Sequence, residues 1–352
     1  MNLRRSAVYC AILSVALGVA ACSSVPENST TGQETSTVMQ KADSTFEPVT
    51  ITHAFGETTL EKKPVRVATV GWGNHEVPLA LGIVPVGMAK VTWGDDDDNG
   101  MLPWVEEALK QLGGSQPVLF DETDSLAFED IAATKPDVIL ASYSGITQED
   151  YDKLSKIAPT IAYPSEPWTT SMEEMITMNA TALGMQHDGG VLIDVLEEKI
   201  AEEFAARPAL HGKKALFTSF GSQEDFSTIG FYQLNDPRVG ILKTMGLGVP
   251  RIVEEKSRDD DAFYVEVSAE QPELFDDVDF LISFGSEDPK ENEETLKKLQ
   301  ADPLLGTIKA IAAGRVAFIA DGPLSAVANP APLAIEWGLS DYLDVLEEAA
   351  KK

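Results

Sequence analysis

Apolar residues return every three to four positions through the middle of this chain. In residues 171–183, Met172, Met175, Ile176 and Leu183 fall on one helical face, and Ser171-Met172-Glu173-Glu174 has the form of a capping box. After Asp188-Gly189-Gly190 a second run places Leu192, Leu196, Ile200 and Phe204 on one stripe, with charged residues opposite, until Pro208 stops it. At about 1.5 Å per residue that second helix is roughly 25 to 30 Å long, enough to span a small protein. Elsewhere the pattern changes to short continuous apolar runs, such as residues 64–71, 138–141 and 214–220, which suit buried parallel strands. Between them, Val49, Ile51 and the Ala54-Phe55 pair lead to a turn expected at Gly56-Glu57 and then to Thr58-Thr59-Leu60, as in a hairpin. The last amphipathic helix is expected from about Leu339 to Ala350.

The segments on either side of the central helices resemble each other. Leu81-Gly82-Ile83-Val84-Pro85 leads towards an apolar strand, and Met245-Gly246-Leu247-Gly248-Val249-Pro250 is expected to do the same. Residues 137–145, Asp-Val-Ile-Leu-Ala-Ser-Tyr-Ser-Gly, are echoed by residues 278–286, Val-Asp-Phe-Leu-Ile-Ser-Phe-Gly-Ser. The expected fold is therefore α/β: two small lobes, each with a mainly parallel sheet flanked by helices, joined by a long helix, with a ligand cleft between them. A length of 352 residues exceeds what one hydrophobic core usually holds.

The boundaries follow from composition. Residues 1–21 read as a signal peptide, with Arg4 and Arg5 before an apolar run too short to span a membrane comfortably. Residues 22–46 are mostly Ser, Thr, Glu and Gln and read as a flexible tether, because so few apolar groups cannot offset the entropy of ordering. Residues 47–170 form the expected N-terminal lobe, 171–210 the linking helices and 211–352 the C-terminal lobe. Cys10 lies within the signal, so the mature chain holds only Cys22 and cannot form an internal disulfide. The formal net charge of -30 disfavours nucleic acid, which needs basic patches, and suits solubility outside the cell.

Catalytic signatures are missing. No Gly-x-Ser-x-Gly elbow, His-Glu-x-x-His helix or Walker loop occurs, and of His53, His75, His187 and His211 only His75 falls in an expected cleft loop, too few nitrogen ligands for a zinc site. Gly71-Trp72-Gly73-Asn74-His75-Glu76 follows a strand as a dinucleotide fingerprint would. Glu76 takes the place of the third glycine, however, where a carboxylate would face the pyrophosphate. Asp95, Asp97, Asn99, Gly100 and Glu106 match the spacing of a calcium loop, and equally suit a solvated acidic turn.

In this order, several segments carry a resemblance: Pro64-Val65-Arg66-Val67, Gly71-Trp72-Gly73-Asn74-His75-Glu76, Lys135-Pro136-Asp137-Val138-Ile139-Leu140 before Tyr143, Ile157-Ala158-Pro159-Thr160 and the long helix. Together they resemble the iron-siderophore substrate-binding lipoproteins of bacterial ABC importers, the class whose two lobes share a rigid helix. Val19-Ala20-Ala21-Cys22 resembles the lipobox of such proteins and makes Cys22 the expected lipidation site. The resemblance implies a monomeric receptor held at the extracytoplasmic face of the cell membrane by its lipid. It implies capture of a ferric siderophore for ABC permease subunits, with no cofactor or resident metal and no catalysis; a cobalamin or haem receptor of the same architecture is the alternative, and an exported enzyme the remote one. Ligand is expected at loops that follow strand ends. The candidates are Trp72, Asn74, His75, Trp93, Tyr143 and Trp168 from the first lobe, with Phe220, Phe231, Tyr232, Arg238, Phe284 and Trp337 from the second. Arg238 is the only arginine placed there, which points to a neutral or weakly charged hydroxamate rather than an anionic tricatecholate. The resemblance further implies one acid per lobe that meets the permease, best matched by Glu149 and Asp236; Asp236 suits an N-cap before Pro237 equally well.

Overall fold

The computed structural model describes residues 46–219, 226–259 and 262–352. Cys22, Phe220, the signal segment and nearly all of the tether lie outside the described residues. The first lobe opens with a hairpin of β1 (Val49–His53) and β2 (Gly56–Leu60). Its turn is Ala54-Phe55, two residues before the expected Gly56-Glu57, because His53 already pairs with Gly56. Phe55 packs on the rings of Tyr151 and Tyr163, and the Ala54 amide donates to the Tyr163 carbonyl, so contacts with the lobe fix the turn.

There follow β3 (Val67–Thr69), α1 (Glu76–Ala80), β4 (Gly87–Ala89), α2 (Pro103–Leu112), β5 (Val118–Phe120), α3 (Phe128–Ala133), β6 (Val138–Ala141), α4 (Gln148–Leu154) and β7 (Thr160–Ala162). The strands form one parallel sheet in the order β5-β4-β3-β6-β7. The linker is α5 (Met172–Ala182) and α6 (Gln186–Ala205). Ser171 and Glu174 make the reciprocal hydrogen bonds of the capping box.

The second lobe contains β8 (Ala215–Thr218), β9 (Thr228–Tyr232), α7 (Pro237–Met245), α8 (Arg251–Asp259), β10 (Tyr264–Ser268), β11 (Phe280–Gly285), α9 (Pro289–Ala301), α10 (Lys309–Ala312), β12 (Val316–Ala320), α11 (Pro323–Val327) and α12 (Pro332–Ala350). Its order is β10-β9-β8-β11-β12. β8, β11 and β12 run parallel, and β9 and β10 add an antiparallel pair. The echoed segments 137–145 and 278–286 become β6 and β11, which occupy the same place beside β3 and β8. The other echo fails. Residues 81–85 lead into β4, whereas 245–250 lead into helix α8, where only Ile252 and Val253 are buried among charged neighbours.

α6 begins before the two glycines rather than after them, and this has a packing reason. A Cβ on Gly189 would lie 2.5 Å from Cβ of Ala180, so α5 and α6 cross closely only because residue 189 has no side chain. Leu196, Ile200 and Phe204 face inward as the stripe requires. α12 starts seven residues ahead of the expected Leu339, at Pro332, and lies along α6. Arg207, just past α6, is buried and binds them together: it donates to Asp344, to Ser340 and to Glu203 at 2.7–2.8 Å. The link between the lobes is thus a pair of helices. Among the described residues no helix is long and apolar enough to cross a membrane.

Candidate ligand cleft

Parallel strands bring their carboxyl ends to one edge of a sheet, and here those edges face each other across a cavity of about 1240 Å³. From the first lobe, the loop after β4 supplies Lys90, Thr92, Trp93 and Asp95; from the second come Tyr232, Arg238, Phe284 and Asp321. Gly94 lets this loop press on α11: a Cβ there would stand 2.7 Å from Cβ of Ala326.

An unbroken series of rings forms the floor. Trp72 packs on Trp93 at 5.6 Å between centroids, and Trp93 meets Phe284 edge-on at 5.3 Å, which joins the lobes. Phe284 touches Phe217 at 5.5 Å, and Phe217 touches Tyr232 at 5.2 Å. Above Tyr232 lies the guanidinium of Arg238, 4.7 Å from the ring centre. Asp236 caps α7 by accepting from the Arg238 amide, and its other oxygen accepts from the Arg238 side chain at 2.8 Å. Burial pulls that guanidinium down, but the Asp236 carboxylate together with the Tyr143 and Tyr232 phenols raises it above its ordinary value, so Arg238 stays charged. Nε of Arg238 is buried and has no partner among the described residues.

Trp93, Tyr232, Arg238 and Phe284 therefore line the cavity, with Trp72 one ring behind. Tyr143 and Trp168 form a seam rather than a wall. Their rings meet edge-on at 5.4 Å, and the Tyr143 hydroxyl donates to Asn329 of the second lobe at 3.1 Å. Burial pushes the Tyr143 phenol up to about 12. Trp168 holds a left-handed backbone (φ 62°), and a Cβ on Gly145 would collide with its indole.

Three candidates face the core. Asn74 is fully buried: its amide donates to the carbonyls of Val70 and Tyr143, and its oxygen accepts from Ser142 and Asn179. Every polar atom of Asn74 is engaged, so it holds the loop and presents nothing to the cavity. His75 is buried, and burial takes it down to about 4, so it is neutral. Phe231 alternates with Tyr232 along β9 and packs on Phe275 from the opposite face. Trp337 departs from the expected position too. It lies within α12, 43% exposed, against Trp104 at 5.1 Å.

The two acids expected at a permease differ sharply. Glu149, in the first turn of α4, is exposed and paired with Lys153 at 2.8 Å. Asp236 is no surface acid: its side chain is wholly buried by the cap and by Arg238, so it cannot meet an external arginine. The calcium-like loop is closed on itself, since Asp95 accepts from the amides of Asp97 and Gly100 and Asn99 donates to Glu106. α2 follows it and β4 precedes it, where a calcium hand would have two helices.

Other groups escaped sequence reasoning. Glu76 is buried and accepts from the Trp104 indole at 2.8 Å and from the amides of Leu333 and Ala334, which begin α12. Burial pushes it up to about 7 against those donors. It thereby ties α1 of one lobe to α12 of the other. Nothing in local sequence points across 257 residues to such a bond. Glu287 and Asp321, by contrast, directly follow β11 and β12, and the strand-end rule used for the aromatics would have found them.

Comparison with known proteins agrees with this geometry. Residues 67–322 match the family described as Periplasmic binding protein. A crystal structure of PiaA from Streptococcus pneumoniae TIGR4 in complex with ferrichrome is 47% identical, covers 86% of this chain and 99% of that one, and superposes with a TM-score of 0.80. Among curated relatives, the probable siderophore-binding lipoprotein YfiY of Bacillus subtilis is 26% identical over 77% of this chain and 80% of its own length. The iron(3+)-hydroxamate-binding protein YxeB of the same organism is 24% identical over 76% and 75%. With the family match spanning more than half of the sequence, and two lobes closing on a strand-end cleft, the chain belongs to the periplasmic binding protein family.

Proposed function

We propose that this protein captures an iron(III)-siderophore of the hydroxamate type outside the cytoplasm and delivers it to an ABC permease, without transforming it. The observation that carries the reading is the cleft itself. Trp93, Phe284 and Tyr232 offer flat apolar faces to the chelate shell, and the guanidinium of Arg238 lines the cavity beside them as a donor group for a metal-bound hydroxamate oxygen. Because Asp236 already balances Arg238, the site suits a chelate of low charge. The 47% identity to a ferrichrome-bound protein supports the same class.

The remaining parts follow the sequence. Residues 1–21 direct export, Cys22 takes the lipid, residues 22–46 tether a monomer to the membrane, and Glu149 meets the permease. Neither a cofactor nor nucleic acid enters this scheme. The test is titration of the protein with a ferric trihydroxamate while intrinsic tryptophan fluorescence is followed. Saturable quenching is expected, because Trp93 and Trp72 stand at the cavity. Absence of binding by any hydroxamate, with tight binding of a tricatecholate, would overturn the reading.

A further inference from the structure

The two ends of the cleft carry different charge. At the β9 end stand Tyr232 and Arg238, the latter balanced by Asp236. At the β11 and β12 end stand Glu287, Glu291 and Asp321, and the facing loop adds Asp95 and Asp98. The lining thus holds five acids against two cations, Arg238 and Lys90. None of those five carboxylates has an ion-pair partner among the described residues.

Sheet order makes this separation a distance. β9 and β12 are separated by β8 and β11, so three steps of about 4.8 Å put about 14 Å between the arginine end and the acid end. That exceeds the screening length of about 8 Å at physiological ionic strength, so Arg238 does not cancel the acids. Local structure holds the acid end in place. Asn292 accepts from the Ser286 amide and donates to its carbonyl, which fixes the turn that carries Glu287. The Asp321 amide donates to the Gly285 carbonyl, and a Cβ on Gly322 would lie 3.0 Å from Oε1 of Glu287. Glu287 therefore lies over the residue next to Asp321. The volume leaves room as well, since about 1240 Å³ exceeds the roughly 300–1,000 Å³ usual for a small-molecule pocket.

We infer, resting on the hydroxamate reading, that the cleft selects ferric hydroxamates bearing a free ammonium arm, with Glu287 and Asp321 as the residues that distinguish them. The chelated iron lies towards Trp93, Tyr232 and Arg238, and the arm extends along the mouth of the second sheet to the acids. Exposed carboxylates act weakly one by one, but several around one ammonium under a bound ligand suffice for about tenfold in affinity at low salt.

The test uses a linear ferric trihydroxamate with a terminal amine and the same compound acetylated at that amine, which leaves the iron shell untouched. Both are titrated against the protein by tryptophan fluorescence. The amine form is expected to bind about tenfold tighter at low ionic strength, and the gap should largely close near 0.5 M salt, roughly, where screening falls to a few ångströms. The double variant Glu287→Gln with Asp321→Asn should bind both forms alike, at the acetylated form's wild-type affinity. Both side chains belong to exposed residues and neither replacement opens a cavity, so folding is retained. Equal affinity of the two forms for the wild type, or preference for the acetylated one, overturns the charge inference and leaves the hydroxamate reading standing. Failure of both forms to bind overturns the hydroxamate reading itself.

Discussion

Asn74, buried at the mouth of the first sheet, and Arg238, half-buried at the mouth of the second, are both polar residues in loops after strands or at helix starts. Asn74 is saturated: Val70, Tyr143, Ser142 and Asn179 use all of its capacity, and Asn179 belongs to α5 of the linker. Arg238 is left with Nε unpartnered beside a cavity, under the constraint of Asp236 and Tyr232. The same strand order serves two ends. The first lobe locks its strand-end loop to the linking helices and becomes a platform, whereas the second leaves a charged side chain at the cavity wall.

Arg238 offers the largest way to break that contrast. Arg238→Ala leaves the buried Asp236 carboxyl without its cation and with only the backbone amide of residue 238 as donor, and should lower stability by about 3–5 kcal/mol. Paired replacement, Asp236→Asn with Arg238→Gln, removes the stranded charge and should recover most of the melting temperature, yet hydroxamate affinity should stay lost. A double variant that bound like the wild type would take Arg238 out of the site. Asn74→Ala should do the reverse. Stranding the partners of a saturated buried amide costs about 3 kcal/mol in chemical denaturation, while the folded protein should keep its affinity.

A third prediction concerns the bond between lobes. Glu76 is held at about 7 in the folded protein against an ordinary glutamate's 4.5, so the native state binds more protons between those limits. Its contribution is fully present below 4.5 and lost as pH rises through 7, a fall on the order of 3 kcal/mol. Denaturant midpoints at about pH 5 and pH 8 should differ accordingly, and Glu76→Gln should flatten most of the difference. Glu122, also pushed up to about 7 by burial, leaves a residual slope of the same sign.

Much of the platform was legible because periodicity records burial. The capping box at Ser171, the stripe through Phe204 and the paired strands β6 and β11 all fall where the pattern puts them. The failures have physical causes. Met245-Gly246-Leu247-Gly248-Val249-Pro250 looks like its counterpart before β4, but it makes only a single parallel bridge, Gly248 to Lys214, and the chain continues as α8. Asn74 and Phe231 lie beside true cavity residues in sequence. Strand alternation and a saturated hydrogen-bond set turn them inward, and neither can be read from position alone. Trp93, Tyr232, Arg238 and Phe284 do line the cavity, because a position at or just after a strand end is a local signal.

The linker gives a smaller effect. α6 would resist bending on its own through its backbone ladder, and Arg207 fastens it to α12 at Ser340 and Asp344. Glu76 and Tyr143 add bonds across the base of the cleft. Scattering curves of the empty and loaded protein should therefore superimpose closely, and a marked contraction on loading would show a hinge this geometry lacks.

The smallest effect on the molecule itself comes from the surface acid. Glu149 is exposed, its Lys153 partner is exposed too, and Thr147 with Asp150 caps α4 without it. Glu149→Ala should therefore leave the melting temperature and chelate affinity where they are. A rim charge acts on encounter with a partner, so the change should appear only in transport, as slower iron uptake by cells at low siderophore concentration. The second lobe cannot answer with Asp236, whose carboxylate is spent on Arg238, so the contrast between the lobes extends to this pair of acids: the first is exposed in a surface ion pair where the second is buried. Uptake at the wild-type rate by the Glu149→Ala protein would remove that acid from the docking surface and leave the cleft chemistry untouched.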